Sequence, residues 1–237
     1  KKVAPYIKRI ITPSKSSKKG IVDEFNCNKA NITVINNGLD TNEFSPVNEV
    51  KRNEYRLITT ASADVPLKGL DFSLKALKKL KKDFPDIHLI VIGLIKKGGH
   101  TEKLIRKLGL ENDVTFKSNL TKNEIKDCYS KSSIAIVSSL YEGFGYPVIE
   151  AMSCEIPLIA TNVSSIPELT SEFAKLVDPK NEEMIYQSVK DILSEYDKYK
   201  KIAIKGRQHV IKNFNWIKIT DEYENAIFET IKNYEKC

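Results

Sequence analysis

Tyr141–Pro157 has the sequence Tyr-Glu-Gly-Phe-Gly-Tyr-Pro-Val-Ile-Glu-Ala-Met-Ser-Cys-Glu-Ile-Pro. Its Gly-x-Gly turn lets backbone N–H groups come close to an anion, because glycine has no Cβ in the way. Pro147 suits the first turn of a helix, where its missing N–H would have had no helical partner. The free donors and partial positive charge of a helix start favour a phosphate group. The stretch therefore predicts a turn, a helix and an anion site.

Two glutamates flank this turn. Glu142 precedes it and Glu150 lies one turn into the predicted helix, eight residues further on. Taken alone, the pair has a simpler interpretation as two acids on the protein surface. Their placement on either side of Gly-Phe-Gly-Tyr-Pro favours a site, because carboxylates accept hydrogen bonds from hydroxyl groups. Carboxylates beside a phosphate cradle suggest a ligand in which a sugar is joined to a phosphate.

Outside this stretch, short apolar strands alternate with helical patterns from Tyr55 onward. The predicted strands are Leu57–Ala61, Ile87–Ile92, Val114–Phe116, Ile134–Val137, Leu158–Ala160 and Leu176–Val177. Thr121 and Glu124 have the spacing of a capping box at a helix start. Strands that are apolar throughout, alternating with helices, are typical of a parallel sheet covered on both faces. We predict an α/β fold with a doubly wound, Rossmann-like sheet of six parallel strands, followed by C-terminal helices.

The common strand order for such a sheet is 3-2-1-4-5-6, which opens a ligand crevice between the first and fourth strands. The loop after the first strand contains Lys68-Gly69, and the loop after the fourth is Ser138–Gly145. This order therefore places the Gly-x-Gly turn opposite Lys68. A cation at a helix start is mildly unfavourable, and a bound diphosphate would reverse that effect. The alternative is an ordinary exposed lysine.

The two ends of the chain have a different pattern. A strand in Lys8–Thr12, a helix capped by Ser14 and a strand in Asn31–Ile35 are too few to bury a core alone. These elements therefore belong to a neighbouring domain or cover the edge of the domain that follows. We expect residues 1–43 to be the end of an N-terminal domain and the crossing between domains, with a linker over Asn42–Asn53, and residues 44–214 to form the sheet domain. Residues 215–237 are predicted to form an amphipathic helix that covers either this sheet or a missing partner domain. Its apolar positions are Trp216, Ile219, Tyr223, Ile227, Ile231 and Tyr234.

Thr161–Glu168 follows the fifth predicted strand at the same edge of the sheet. Its hydroxyls and backbone N–H groups have the chemistry to hold phosphate or sugar oxygens, with Ser164 and Ser165 as candidates. A second interpretation is a helix cap by either serine, with Glu168 completing a capping box. The two interpretations are compatible.

The composition gives no indication of a membrane-spanning segment, of nucleic-acid binding or of a Cys/His metal site. The 237 residues are 41% hydrophobic and 29% charged, and no run of about 18 apolar residues is present. The net charge of +7 suits phosphorylated ligands or anionic lipid, but no interleaving of basic and aromatic residues indicates nucleic acid. Four cysteines and three histidines lack metal-binding or catalytic spacing. We expect reduced thiols and a cytoplasmic protein, and the basic surface is compatible with peripheral contact with a membrane.

Taken together, the motifs resemble the retaining glycosyltransferases of the GT-B fold that carry an E-x7-E motif (glycosyltransferase family 4, or group 1). Glu142–Met152 is similar to that motif. Ile35–Asp40 with Phe44 resembles the segment where these enzymes cross between domains. Lys68-Gly69 matches their lysine-glycine pair, and Ile166–Leu169 matches the loop after their fifth strand. The resemblance covers nearly the whole chain and implies one half of a GT-B fold, the C-terminal donor-binding domain.

The resemblance also implies roles for single residues. Glu142 would bind the transferred sugar, Glu150 the ribose hydroxyls and Lys68 the diphosphate. The loop Lys117–Leu120, with Asn119, would form the base pocket. The remaining implied contacts to the donor are Gly143, Phe144, Gly145, Tyr146, Val148, Ser164 and Ser165. The donor would be a UDP- or GDP-hexose, used as a substrate without a cofactor or a protein-bound metal.

Three positions differ from the family's pattern. Ala63 stands where the family usually has an arginine, so one diphosphate cation is absent or comes from elsewhere. Ser153-Cys154-Glu155 replaces Ala-Cys-Gly, and Ser164-Ser165 replaces the glycines before Pro-Glu. We expect these changes to affect donor affinity and the identity of the sugar more than the fold.

Several functional interpretations follow. The first is an enzyme that transfers a hexose to a saccharide or lipid-linked acceptor during cell-surface polysaccharide or glycolipid synthesis. Because the acceptor normally binds the other domain, we expect this chain alone to bind nucleotide but to transfer sugar poorly. The alternative is a non-catalytic module that binds a nucleotide sugar. A sugar-nucleotide epimerase is disfavoured, because suitably placed catalytic acids and histidines are lacking.

Overall fold

The computed structural model describes residues 3–47 and 50–234, with backbone only for residues 233 and 234. The strands in these ranges are β1 (Ile10–Thr12), β2 (Ile32–Val34), β3 (Asn53–Thr60), β4 (His88–Ile92), β5 (Val114–Lys117), β6 (Ser132–Val137), β7 (Leu158–Thr161) and β8 (Lys175–Val177). The helices are α1 (Lys15–Phe25), α2 (Leu70–Asp83), α3 (His100–Leu108), α4 (Lys122–Lys131), α5 (Tyr146–Ser153), α6 (Ile166–Thr170), α7 (Glu182–Ser194), α8 (Tyr196–Asn213) and α9 (Trp216–Tyr234). Short 3-10 helices cover Ala4–Tyr6, Lys29–Asn31 and Pro66–Lys68.

Six of these strands form one parallel sheet in the order β5-β4-β3-β6-β7-β8. Numbered within the sheet, this is the predicted order 3-2-1-4-5-6, so both the fold class and the strand order are confirmed. Leu57 of β3 pairs with Leu89 of β4 on one side and with Ile134 of β6 on the other. The strand order reverses between β3 and β6, and the loops that follow these two strands therefore form the crevice.

Helices cover both faces of this sheet. Ile58 and Ala135 point to one face and pack in a core with α4, α5, α6 and α8. Leu57 and Ile134, their neighbours along β3 and β6, point to the other face and pack with α2, α3 and α7. Burial on both faces is why the strand sequences are apolar throughout rather than alternating.

Two helix starts predicted from side-chain caps, those of α1 and α4, are confirmed, and α7 has a further cap of this kind. The Ser14 hydroxyl accepts a hydrogen bond from the Ser17 N–H at the start of α1. Thr121 and Glu124 form the reciprocal capping box of α4. The Asn181 side chain caps α7 by accepting from the Met184 N–H. Each cap satisfies an N–H group that has no partner within its helix.

A smaller group of elements lies beside the main sheet. Strands β1 and β2 pair in parallel, α1 packs on β2, and α9 packs on the same group. Ile219 and Ala226 of α9 are buried against Ile35. By contrast, the apolar positions Trp216, Ile227 and Ile231 are about half exposed, at 50%, 52% and 50%. The predicted stripe on α9 is therefore only partly buried, and it covers the β1–β2 group rather than the main sheet. The Tyr234 side chain and residues 235–237 lie outside the described residues.

Part of the predicted linker belongs to the core. Phe44 is buried in the same cluster as Val148 and Met152. Its carbonyl accepts hydrogen bonds from Ser153 and from the Arg207 guanidinium of α8. Residues 48 and 49 of the linker lie outside the described residues, and β3 begins at Asn53. None of the helices described is long and apolar enough to cross a membrane.

Candidate functional site

The loops after β3 and β6 are joined at the carboxyl edge of the sheet. The Leu140 N–H donates to the Leu67 carbonyl at 2.7 Å, and the Ser138 hydroxyl donates to the Gly69 carbonyl at 3.0 Å. Gly69 has a positive φ of 61°, and a Cβ there would lie 2.0 Å from the Ser138 carbonyl oxygen. Only glycine allows this approach of the two loops, and the approach places Lys68 opposite the loop that carries Glu142.

Lys68 and Glu142 form an ion pair across the crevice. The Lys68 Nζ lies 2.7 Å from the Glu142 Oε1, and the Ser139 hydroxyl donates to the same oxygen, also at 2.7 Å. The Glu142 side chain is 10% exposed and that of Lys68 is 31% exposed. A buried carboxylate needs such partners, because burial without them is unfavourable. The two residues that the sequence placed on opposite loops are therefore in direct contact.

Glu150 lies one turn into α5, in different surroundings. Its Oε2 accepts a hydrogen bond from the Tyr129 hydroxyl at 3.2 Å, and the oxygen of that hydroxyl lies 3.1 Å from the Thr60 hydroxyl. Burial raises the pKa of the Glu150 carboxyl to about 7, and the Tyr129 hydrogen bond only partly opposes this shift. Burial also raises the pKa of the Tyr129 hydroxyl, and the charge of Glu150 adds to this effect. Glu150 can therefore gain or lose a proton near neutral pH.

The Gly-x-Gly turn leads directly into α5, as predicted. Gly145 has a positive φ of 114° at the start of this helix, and Pro147 lies in its first turn. Phe144 is buried and makes edge-to-face contacts with Tyr146 and with Phe214. Val148 is fully buried. The Phe144 and Val148 side chains hold the loop in the core, and the Val148 N–H donates to the Gly145 carbonyl at 3.0 Å, so the predicted ligand contact of Val148 is not available. The Phe144 N–H and the partly exposed Tyr146 are left to face a ligand.

The remaining candidates are Ser164, Ser165 and Asn119. Ser165 is fully buried, and its hydroxyl donates to the carbonyls of Glu142, at 2.9 Å, and Phe144. In this structure Ser165 therefore holds the loop from behind. Ser165 occupies the N-cap position of α6, but its side chain makes no capping hydrogen bond, so the predicted side-chain cap with Glu168 is not formed. Asn119 is exposed at the carboxyl end of the edge strand β5 and has a positive φ of 56°.

At two of the three positions that differ from the family's pattern, the backbone has a positive φ. Glu155, where the family has glycine, has a φ of 54°, and Ser164, at another such position, has a φ of 49°. These are left-handed conformations that glycine adopts without strain. Both positions therefore have a backbone conformation that favours glycine, although they carry Glu and Ser.

Several contacts of this site were not predicted from the sequence. Tyr129 and Ser139 donate to the two glutamates, and Ser14 and Ser17 at the start of α1 contact the Gly143 carbonyl. Ser14 was identified only as a helix cap. The described residues contain no group of three or more His, Cys, Asp or Glu side chains placed to hold a metal ion.

Comparison with known proteins gives a consistent family of matches. The model of the family described as "Glycosyl transferases group 1" matches residues 41–209. The MMP alpha-(1->4)-mannosyltransferase of Mycolicibacterium hassiacum is 31% identical over 100% of this chain and 56% of its own length. The O-antigen chain mannosyltransferase RfbU of Salmonella typhimurium is 29% identical over 78% of this chain and 51% of its own length. The chain thus spans just over half of the length of these curated relatives.

Solved structures show the same architecture. A glycosyltransferase from Rickettsia africae superposes with a TM-score of 0.84 at 25% identity, over 97% of this chain and 65% of that chain. The Anabaena protein HepE, solved in complex with UDP-glucose, superposes with a TM-score of 0.84 at 18% identity, over 96% of this chain and 65% of that chain. Both resemble this chain over nearly all of its length, with the GT-B type of Rossmann-like domain.

Proposed function

The chain belongs to the group 1 glycosyl transferases, and we propose that it binds the nucleoside diphosphate sugar donor at the crevice between β3 and β6. The observation that carries this proposal is the contact between Lys68 and Glu142, 2.7 Å apart at the start of α5. A cation, free helix-start amides and two carboxylates meet there, and together they match a ligand with a diphosphate and two sets of sugar hydroxyls.

Each group has a proposed role. When the donor binds, the Lys68 ammonium leaves Glu142 and pairs with the diphosphate. The N–H groups of Gly143, Phe144 and Gly145 hold the phosphate oxygens, whereas Pro147 has no N–H and the Val148 N–H donates to the Gly145 carbonyl. Glu142, released from Lys68, accepts hydrogen bonds from the transferred sugar. Glu150 accepts them from the ribose, and Asn119 lies at the edge strand where the base would bind. Ser165, which follows Ser164 in the neighbouring turn, supports the loop through its hydroxyl.

The same geometry supports catalysis of transfer. The bond between the sugar's anomeric carbon and the bridging phosphate oxygen breaks, and the nucleoside diphosphate leaves with the electron pair. An acceptor hydroxyl oxygen forms the new bond to the anomeric carbon, and its proton passes to the departing phosphate oxygen. Negative charge builds on its oxygens, so a cation and amide dipoles already in place lower the barrier. We propose that Glu142 orients the sugar and is not a nucleophile, and that the anomeric configuration is retained.

The donor and acceptor are proposed from the relatives. Several curated relatives are mannosyltransferases, one of them named as GDP-mannose-dependent, and a protein with the same fold has been solved with UDP-glucose. We therefore propose a GDP- or UDP-hexose, with GDP-mannose as the first donor to test. The acceptor is a saccharide or lipid-linked sugar, presented by a further domain on the cytoplasmic side of a membrane.

Titration calorimetry with GDP and UDP tests the donor proposal directly. One of the two is expected to bind the 237-residue chain, and absence of binding by both would refute the proposal. Turnover is tested with the protein at its full natural length, by measuring transfer and donor hydrolysis. Glu142→Gln is expected to lower turnover by at least about tenfold, on the basis of a lost charged hydrogen bond. Glu172→Gln, which changes an exposed acid, is the matched control.

A second candidate function is a non-catalytic donor-binding module. One observation favours it: Ala63 stands where the family's pattern usually has an arginine, so a cation that would stabilise the leaving group is absent or comes from elsewhere. Nucleotide binding with no detectable transfer or hydrolysis by the full-length protein would support this module. Turnover that depends on Glu142 would exclude it.

A further inference from the structure

Three consecutive carbonyls of the Gly-x-Gly turn are held from behind by serine hydroxyls. Ser165 donates to the carbonyls of Glu142 and Phe144, as described above. The carbonyl between them, that of Gly143, accepts from Ser14 at 2.7 Å and from Ser17 at 3.0 Å. Ser14 and Ser17 lie at the start of α1, more than 120 residues earlier in the chain. This part of the loop is therefore fixed by a distant element.

The start of α1 is itself fixed against the next loop of the site. The Glu168 carboxylate accepts the N–H groups of Lys15 at 3.0 Å and Ser16 at 3.2 Å. A carboxylate at this position satisfies free helix-start donors and interacts favourably with the helix dipole. Ser14 is fully buried in the contact. Helix α1 thus bridges the Gly143 turn and α6, although it packs on the β1–β2 group.

These contacts determine where the amides of the turn point. Within one peptide unit the C=O and N–H bonds point in opposite directions, since the unit is planar and trans. Carbonyls held toward α1 and Ser165 therefore turn the N–H groups of Gly143, Phe144 and Gly145 the other way. Across the described residues, these three N–H groups have no hydrogen-bond partner in the protein. They are available for an anion.

We propose that Ser14 and Ser17 of α1 are positioning residues for donor binding, which aim the amides of Gly143, Phe144 and Gly145 at the donor's diphosphate. Glu168 holds α1 in place, and Ser165 completes the arrangement. This inference rests on the proposed function of the crevice. It assigns part of the donor site to residues that touch neither the sugar nor the nucleotide. It also links donor affinity to the position of the β1–β2 group.

Ser17 is the residue that tests this inference most directly. Ser14 also caps α1 through its contact with the Ser17 N–H, so its replacement would disturb the helix as well. The Ser17 hydroxyl contacts the Gly143 carbonyl and the Ser14 hydroxyl. Ser16 is the matched control, because it lies on the same turn with similar burial and only its backbone N–H takes part in the contact.

The experiment compares Ser17→Ala, Ser17→Thr and Ser16→Ala by calorimetry with the nucleoside diphosphate that the wild type binds, and with the corresponding nucleoside. We expect S17A to weaken diphosphate binding by about fivefold, the effect of one ordinary hydrogen bond. S17T, which keeps a hydroxyl, and S16A should stay within about twofold on the same basis. Affinity for the nucleoside should not change, because it lacks the diphosphate. A general loss of stability would weaken the binding of the nucleoside diphosphate and of the nucleoside equally.

A second measurement keeps the inference separate from the proposed function. Backbone 15N order parameters of Gly143–Gly145 in the ligand-free protein should fall in S17A and remain unchanged in S16A. If the wild type binds no nucleotide, the proposed function fails, and the order parameters still decide whether α1 holds the turn. Equal order parameters in S17A and S16A, or equal diphosphate affinities, would overturn the inference.

Discussion

The two glutamates of one motif lie in opposite electrostatic surroundings. Glu142 has a cation 2.7 Å away and shares its Oε1 with a serine hydroxyl. Glu150 has one neutral partner, the Tyr129 hydroxyl, and burial raises its pKa to about 7. Both are acids on the same loop-and-helix unit, yet only the first has its charge balanced within the protein.

This difference has a physical consequence for ligand binding. The charge of Glu142 is balanced by Lys68, so a donor must replace one ion pair by another. The Glu150 carboxyl gains partners only when hydroxyl groups of a ligand donate to it, which favours its charged form. Donor binding should therefore exchange an ion pair at Glu142 and release a proton at Glu150. Identical side chains thus require different tests.

The largest effect is expected from Lys68→Met, which removes the cation on the Glu142 side. The diphosphate loses a charged hydrogen bond, and nucleoside diphosphate affinity should fall by about 10- to 100-fold. Glu142 also loses its partner, so the free energy of unfolding should decrease. Calorimetry and denaturant unfolding measure the two effects.

Two further variants sharpen this test. The double variant K68M/E142Q should regain part of the stability lost in K68M, because it no longer buries an unpaired carboxylate. Lys78→Met is the matched control, since Lys78 is an exposed lysine of α2, the helix that follows this loop. Diphosphate affinity that is equal in K68M and K78M would contradict the assignment of Lys68.

Glu150→Gln is expected to increase the free energy of unfolding at high pH, whereas Lys68→Met is expected to decrease it. The Glu150 pKa is raised from 4.5 to about 7 in the folded chain, so the native state holds a proton that the unfolded state has lost between these pH values. Wild-type stability should therefore fall as pH rises through this window, while glutamine stays neutral. At pH 8 we expect E150Q to be more stable than the wild type by on the order of 2 kcal/mol, with a difference near zero at pH 4.5.

Denaturant unfolding from pH 4.5 to 8.5 measures this difference. Glu142→Gln is the comparison variant, since it removes the acceptor of Lys68 and should lower stability at pH 8. A pH-independent difference between E150Q and the wild type, or a loss of stability in E150Q at pH 8, would show that the two glutamates do not differ in this way.

The sequence predicted the framework of this site because the framework follows from local patterns. Apolar strands, glycine-rich turns and caps such as that of Ser14 are properties of a few neighbouring residues, and the strand order then brings Lys68 to Glu142. Partners from distant elements were not predicted. Tyr129 occupies an apolar position of α4, and Ser17 has the sequence context of any polar helix residue. Nothing in their local sequence indicates which carbonyl or carboxylate they contact.

The smallest effect is expected when Glu150 loses its hydrogen-bond partner, the Tyr129 hydroxyl. Tyr129→Phe removes the hydroxyl that donates to the carboxylate, a contact that lowers the Glu150 pKa against the effect of burial. The pKa should therefore rise further, by about half a unit to one unit, since a hydrogen bond is worth about 1 kcal/mol. The midpoint of the fall in stability with pH should move upward by the same amount, and a 13C NMR titration of the Glu150 carboxyl measures it directly.

Tyr196→Phe is the matched control, because its half-buried hydroxyl donates to the Ser133 carbonyl instead. A midpoint that is unchanged or lower in Y129F would mean that burial alone sets the protonation of Glu150. The contrast with Glu142 would then depend on solvent exclusion, with no contribution from a specific partner.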